Sequence, residues 1–471
     1  MEQEPAIFLR TVVGTLNCER LGARHRSRLP WTTFMATFVA LSLGMLVYGL
    51  AESYGPVYVA SGVLSQSNAW LGYSITFIAG GFGALVAGYL TDSLGRKKAF
   101  ILTAAMVVAG LALYLPHAFG LTSGPLDLGL LITSLVLVGM AAIGLETPIL
   151  SMIAETSEAK ERGKYLVIAQ NFGNIGVALA YIPLLIFGVT SARAQYIGYD
   201  IALILMFLGP LAGLVIAWIK AAESIPWSAI REGRDPQSAW RFVDSSAEVV
   251  TPTTGLGLRL FTLITLGVVQ DVGFVYFLYE APSLFSSTGS ASFSVIAPLI
   301  GGFAMAIVGI IIGLTVTGKV NRKEFTFISF GLMAALWSVL LLVGALTGFT
   351  ASTPVIVTYI LLMIPTELTW AARALLEPEL FPTKTRGLYI SMVRASVWIA
   401  TGIITGVLSL GYVSGLGAVA AVTAVMLLGL GSSTLWYMRG FETGRKSLLG
   451  LDIHATGIIP HGAVASEQAN T

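Results

Sequence analysis

The chain has 471 residues, of which 55% are hydrophobic and only 11% charged, and its formal net charge is +2. A water-soluble domain cannot hide that much apolar surface, so a bilayer is the expected solvent, and a soluble enzyme or a nucleic-acid binder is excluded. One cysteine, Cys18, allows no internal disulfide, and His25, His117, His454 and His461 make no metal-ligand spacing.

Residues 1–30 are polar and carry Arg10, Arg20, Arg24, Arg26 and Arg28. They lack an apolar core followed by a small-residue cleavage site, so they read as a cytoplasmic tail and not as a cleaved signal. Twelve apolar segments follow, at roughly 31–53, 68–91, 98–118, 128–153, 165–188, 199–220, 258–282, 292–316, 325–347, 354–377, 387–412 and 415–438. Each is close to the ~20 residues a helix needs to cross a ~30 Å hydrocarbon layer, and helices satisfy their own backbone polar groups there.

Basic residues test the count. Of the 27 Lys and Arg, Arg193 falls in an outer loop and Arg373 and Arg394 fall within spans; all the others lie in the tails, the central linker and alternate loops. By the positive-inside rule those loops and both termini are cytoplasmic, and a wrong span count would scramble the alternation. The expected protein is an all-α membrane protein with twelve transmembrane helices in two pseudo-symmetric six-helix bundles. Residues 31–220 form the first bundle, 221–256 a cytoplasmic linker with short helices, 257–438 the second bundle and 439–471 a cytoplasmic tail.

A repeat supports the halving. The stretch from Glu155 through Lys160, Arg162, Gly163 and Tyr165 returns as Glu379, Lys384, Arg386, Gly387 and Tyr389 at one constant offset. A weaker echo relates Gly88–Phe100 to Gly313–Phe325, with Thr317 where the first half has Asp92, so the second copy lacks the loop acid. Parallel repeats of this type build carriers whose solute site lies at the midplane between the halves.

The loop after span 2 runs Gly88-Tyr-Leu-Thr-Asp92-Ser-Leu-Gly95-Arg96-Lys97-Lys98. Gly88 permits close helix approach, Asp92 can pair with Arg96 and with a helix N-terminus, and Gly95 permits a tight turn. This stretch resembles the loop signature of the major facilitator superfamily. Arg162-Gly163, Gln170, Gly176 and Ala180-Tyr181 in span 5 are similar in spacing to the sugar porter branch. So are Glu223-Ser224 with Trp227, Gly233 and Arg234 after span 6, and Gln270, Gly273, Tyr279, Ala281-Pro282 and Phe285 in span 7. Glu379, Phe381-Pro382, Arg386-Gly387 and Trp398 around span 11, and Phe441-Glu442-Thr443 in the tail, complete the match over residues 88–448. The departures lie in the pocket: Val269 stands in place of one of a Gln pair, Val275 in place of an Asn and Ala374 in place of a Trp, and span 4 has no Arg. The resemblance implies a secondary active transporter, with sugar-like solutes first, organic-anion symport or efflux as alternatives, and a non-transporting sensor as the rival class. It implies no enzyme activity and no cofactor. The expected partners are a small solute, protons and lipid, for a monomer in the cell membrane.

Ionisable groups in hydrocarbon are costly and therefore functional suspects. Glu146, Asp271 and Glu367 lie deep in spans 4, 7 and 10 and are the proton-coupling candidates. Glu52 and Glu280 are expected at the solvated outer ends, and Arg373 is expected to snorkel to the cytoplasmic side. Arg394, paired by the repeat with Gln170, is expected to hold an anion or to neutralise Glu367. Gln170, Gln270, Arg394, Trp398, Trp370 and Tyr279 are the substrate-binding candidates. Gly88, Asp92, Gly95, Arg96, Glu155, Arg162, Glu379 and Arg386 are expected to form an ion-paired cytoplasmic gate.

Overall fold

In a computed structural model of the protein, the residues described are 29–60, 69–187, 208–244, 248–280, 293–348, 353–410 and 415–456. The tail arginines, Cys18, His25, Arg193, Ala281, Pro282, Phe285 and His461 lie outside them, as does the side chain of Glu280.

The first half contributes α1 (Trp31–Glu52), α2 (Ala69–Ser93), α3 (Arg96–Ala112), α4 (Gly124–Thr156), α5 (Ala159–Phe187) and α6 (Leu208–Lys220). The second half contributes α7 (Leu256–Val275), α8 (Phe293–Thr315), α9 (Arg322–Thr347), α10 (Met363–Glu379), α11 (Arg386–Ser409) and α12 (Gly415–Arg439). Eleven described helices are long and apolar enough to cross a membrane; the twelfth span is α6, which meets helix Ile225–Arg231 at 62°. The expected start of span 6 at 199 falls outside the described residues.

Large apolar side chains such as Phe82, Ile307, Leu314 and Leu346 are exposed around the outside, on the helix faces that lipid covers. Within the first half α4 packs on α2 and α3; within the second, α9 packs on α12. The halves meet mainly through α2 against α11 and α5 against α8. Gly88 sets the first contact: a Cβ there would lie 2.1 Å from Ser391 Oγ and 2.6 Å from the Gly387 carbonyl. Gly95, with φ of 107°, makes the turn into α3 in a conformation that favours glycine.

Short elements finish the face on which the linker and tail lie. Linker helices Ile225–Arg231 and Pro236–Val243 start with proline in the first turn and with Ser224 and Asp235 as N-caps. Helix Leu449–Thr456 of the tail packs on the second of them. Asp452 joins three parts of the chain, accepting from Trp240 Nε1 at 2.7 Å and from the Thr383 amide and hydroxyl at 2.6 and 2.8 Å.

Candidate functional site

The site is a column of buried polar groups running from the face that carries the linker to the middle of the molecule.

At the bottom, two carboxylates at the ends of α4 and α10 are fully buried and each collects arginines from both halves. Glu155 accepts from Arg96 of its own half at 2.9 and 2.7 Å and from Arg386 of the other half. Glu379 accepts from Arg322 of its own half at 3.1 and 3.3 Å and from Arg162 of the other half at 2.8 Å. The Glu-Ser and Glu-Thr pairs of the linker and tail explain themselves here. Ser224 donates its hydroxyl to Glu155, and Thr443 donates to Glu379 at 2.6 Å. The glutamates beside them cap helix N-termini: Glu223 accepts from the Arg96 and Lys97 amides, and Glu442 from the Arg322 and Lys323 amides. Asp92 bonds Arg96 at 3.2 Å and reaches across to the first amides of α11, Gly387 at 3.0 Å and Leu388 at 2.8 Å.

The second copy of the loop is shifted by one residue from the expected register. Arg322, not Asn321, takes the place equivalent to Arg96, since each donates to the carbonyl of a threonine five residues earlier, Thr91 and Thr317. The paired carboxylates are thus symmetric, while the Asp92 bridge to α11 has no counterpart among the described residues.

Above this layer a chain of alternating charges rises through the bundle. Glu146 of α4 pairs with Arg394 of α11, which also bonds Glu377 of α10 at 2.8 Å. Glu377 pairs with Arg373 at 2.7 Å, and Arg373 bonds Asp271 and Gln270 of α7, each at 2.7 Å. All five charged side chains are buried. Two expectations change here. Arg373 does not snorkel, because two carboxylates hold it inside the protein; and Arg394 neutralises Glu146 and Glu377 instead of Glu367. Glu367 instead accepts from Asn171 at 3.0 Å and Asn174 at 2.7 Å, both on α5 across the interface between halves.

The column ends in a tight gap, too narrow for a water molecule, lined by Tyr48, Glu52, Gln270, Asp271, Phe274 and Trp370. Glu52 is only 2% exposed, so it is not a solvated outer acid. Trp398 stands behind the gap, edge-on to Tyr48 and tilted on Phe77, and does not line it. Gln170 is buried with neither amide atom hydrogen-bonded, away from the lining residues. Tyr279 lies on the wider helical turn Tyr276–Glu280 that ends α7. There it meets the Ser53 hydroxyl at 3.3 Å, stacks on Tyr181 and abuts Phe274, which closes the top of the gap between the halves.

Glu377, Arg322, Asn171, Asn174, Glu223 and Glu442 were missing from the candidates. The repeated Glu-Ser and Glu-Thr pairs could have pointed to the two caps. No sequence signal separates Glu377 from the loop acid two residues on.

The family model of the Major Facilitator Superfamily matches residues 30–366. A putative metabolite transport protein, YfiG of Bacillus subtilis, is 25% identical over 411 residues, covering 81% of this chain and 82% of its own. A D-xylose transporter of Levilactobacillus brevis is 25% identical, with coverages of 86% and 91%. Among solved structures, the proton:xylose symporter XylE bound to 6-bromo-6-deoxy-D-glucose aligns with a TM-score of 0.73 at 19% identity, over 90% of this chain and 99% of that one. A membrane-embedded helical chain, duplicated in halves that meet across buried ion pairs and matched over most of its length, belongs to the major facilitator superfamily of transporters.

Proposed function

We propose that the chain moves a small polar organic solute across the cell membrane by alternating access, as a monomer with both termini in the cytoplasm, drawing on the proton gradient. The observation that carries this reading is the crossing of ion pairs between halves at two depths. The cytoplasmic carboxylates Glu155 and Glu379 clasp arginines of the opposite half, and Glu146 clasps Arg394 beside the central gap. Bundles joined by such pairs have two discrete arrangements, paired and parted, and a bound solute biases the equilibrium between them. Sugar-like solutes are the first class to try, since the relatives include transporters named for xylose and glucose.

Coupling to protons follows from Glu146 and Asp271. Each is an acid whose ion-pair partner is an arginine, and protonation of the acid releases that arginine. For Glu146 the released pair is the one joining α4 to α11. The test is uptake into proteoliposomes under an imposed pH gradient. Glu146→Gln and Asp271→Asn are each expected to abolish accumulation while leaving gradient-free exchange measurable; full proton-driven accumulation by both variants would refute the assignment.

A further inference from the structure

The charges of the column do not balance. The described groups that feel one another there are Glu52, Glu146, Asp271 and Glu377 against Arg373 and Arg394. Both arginines are already shared between carboxylates: Arg373 by Asp271 and Glu377, Arg394 by Glu146 and Glu377. Neither is available to an anionic solute without leaving an acid unpaired in the interior.

The surplus acid lies at the gap. Glu52 has no ion-pair partner among the described residues; Tyr48 and Asp271 line the gap with it. It is almost completely buried and lines the gap together with Asp271. The remaining walls are the rings of Tyr48, Phe274 and Trp370, with Trp370 centred 6.4 Å from Tyr48 and 6.3 Å from Phe274. Aromatic faces attract cations, most strongly where water is excluded, and a buried carboxyl ionises only where a positive partner faces it, which a bound ammonium group would supply.

We infer that the solute is cationic: a small amine whose ammonium group sits between Glu52 and Asp271 and against the faces of Tyr48, Phe274 and Trp370. This deepens the transport reading and rests on it. A polar hydroxylated body fits the same place through Gln270, so an amino sugar satisfies both the charge and the likeness to sugar carriers, whereas an anionic sugar acid does not. Opening of the gap as the halves move supplies the volume that the closed state lacks.

Counterflow exchange needs no ion gradient and so separates this inference from proton coupling. The full-length protein is reconstituted in liposomes and assayed with labelled D-glucosamine, choline, D-glucose and D-glucuronate, at mildly acidic pH where the amino sugar is protonated. The two cations are expected to exchange at least about ten-fold faster than the neutral and anionic sugars, the equivalent of ~1.4 kcal/mol. Glu52→Gln should remove that preference and Glu52→Asp restore part of it, with both variants checked for a native size-exclusion profile. Exchange of glucose or glucuronate as fast as glucosamine, or an unchanged preference in Glu52→Gln, overturns the charge assignment and leaves the carrier reading standing. Exchange of none of the four by folded protein counts against both.

Discussion

Removing the arginines that cross between halves should open the face that carries the linker, and the structure sets the size of the effect. Arg386→Gln takes away the bond from the second half to Glu155, and Arg162→Gln the bond from the first half to Glu379. Each carboxylate keeps its arginine from its own half, Arg96 or Arg322, so neither is left as a bare buried charge. A hydrogen bond between charged groups contributes about 1.5–3 kcal/mol, so the double variant loses about 3–6 kcal/mol from the closed arrangement. Moving a two-state balance from 1:99 to 99:1 takes about 5.5 kcal/mol, so the shift is large enough to be seen directly. Spin labels at Lys160→Cys and Lys384→Cys, exposed positions of opposite halves at the start of α5 and just before α11, report the separation by pulsed electron resonance in a Cys18→Ser background. The distance distribution should move to longer values in Arg162→Gln/Arg386→Gln and stay unchanged in Glu161→Gln, whose pair with Lys164 is exposed and contributes little. An unmoved distribution in the double variant would show that these bonds do not hold the face shut.

Two further outcomes are expected. Gly88→Ala places a methyl group against Ser391 and the Gly387 carbonyl, so α2 and α11 must part; thermal unfolding in detergent should show a loss of about 1–3 kcal/mol, partly recovered by adding Ser391→Gly. Burial pushes the Asp452 carboxyl above the usual carboxylate range, against the pull of Arg386. Folding therefore favours its protonated form, and docking of the tail is tightest below that range and weakens as pH rises through it. Hydrogen exchange of Leu449–Thr456 should show this, and Asp452→Asn should flatten the dependence.

Much of the architecture was readable from hydropathy and from the sidedness of Lys and Arg, because a bilayer imposes both on every span. Glu155, Arg162, Glu379 and Arg386 were readable for a related reason: the Glu and Arg of the first copy return at one constant offset in the second, and repetition exposes pairing. What failed was depth without direction. Arg373 was expected to snorkel, yet its helical face turns it toward Asp271 and Glu377. Glu52 ends an apolar run, and only the packing of the helices shows that it stays covered. Arg322 was hidden by a one-residue shift between copies, and Asn171 and Asn174 by being polar but uncharged within a membrane-spanning helix.

The clasp at Asp452 has a mechanical consequence. The chain's middle, through Trp240, and its last described helix are fastened to Thr383 of the second half, while Ala159 at the start of α5 is held by Asp244 of the same linker. Linker and tail therefore form a strap around the inner mouth, anchored on both sides of the opening. Widening that mouth must slacken the strap at one of these anchors, so a protein that grips the tail would act as a brake on turnover without approaching the solute.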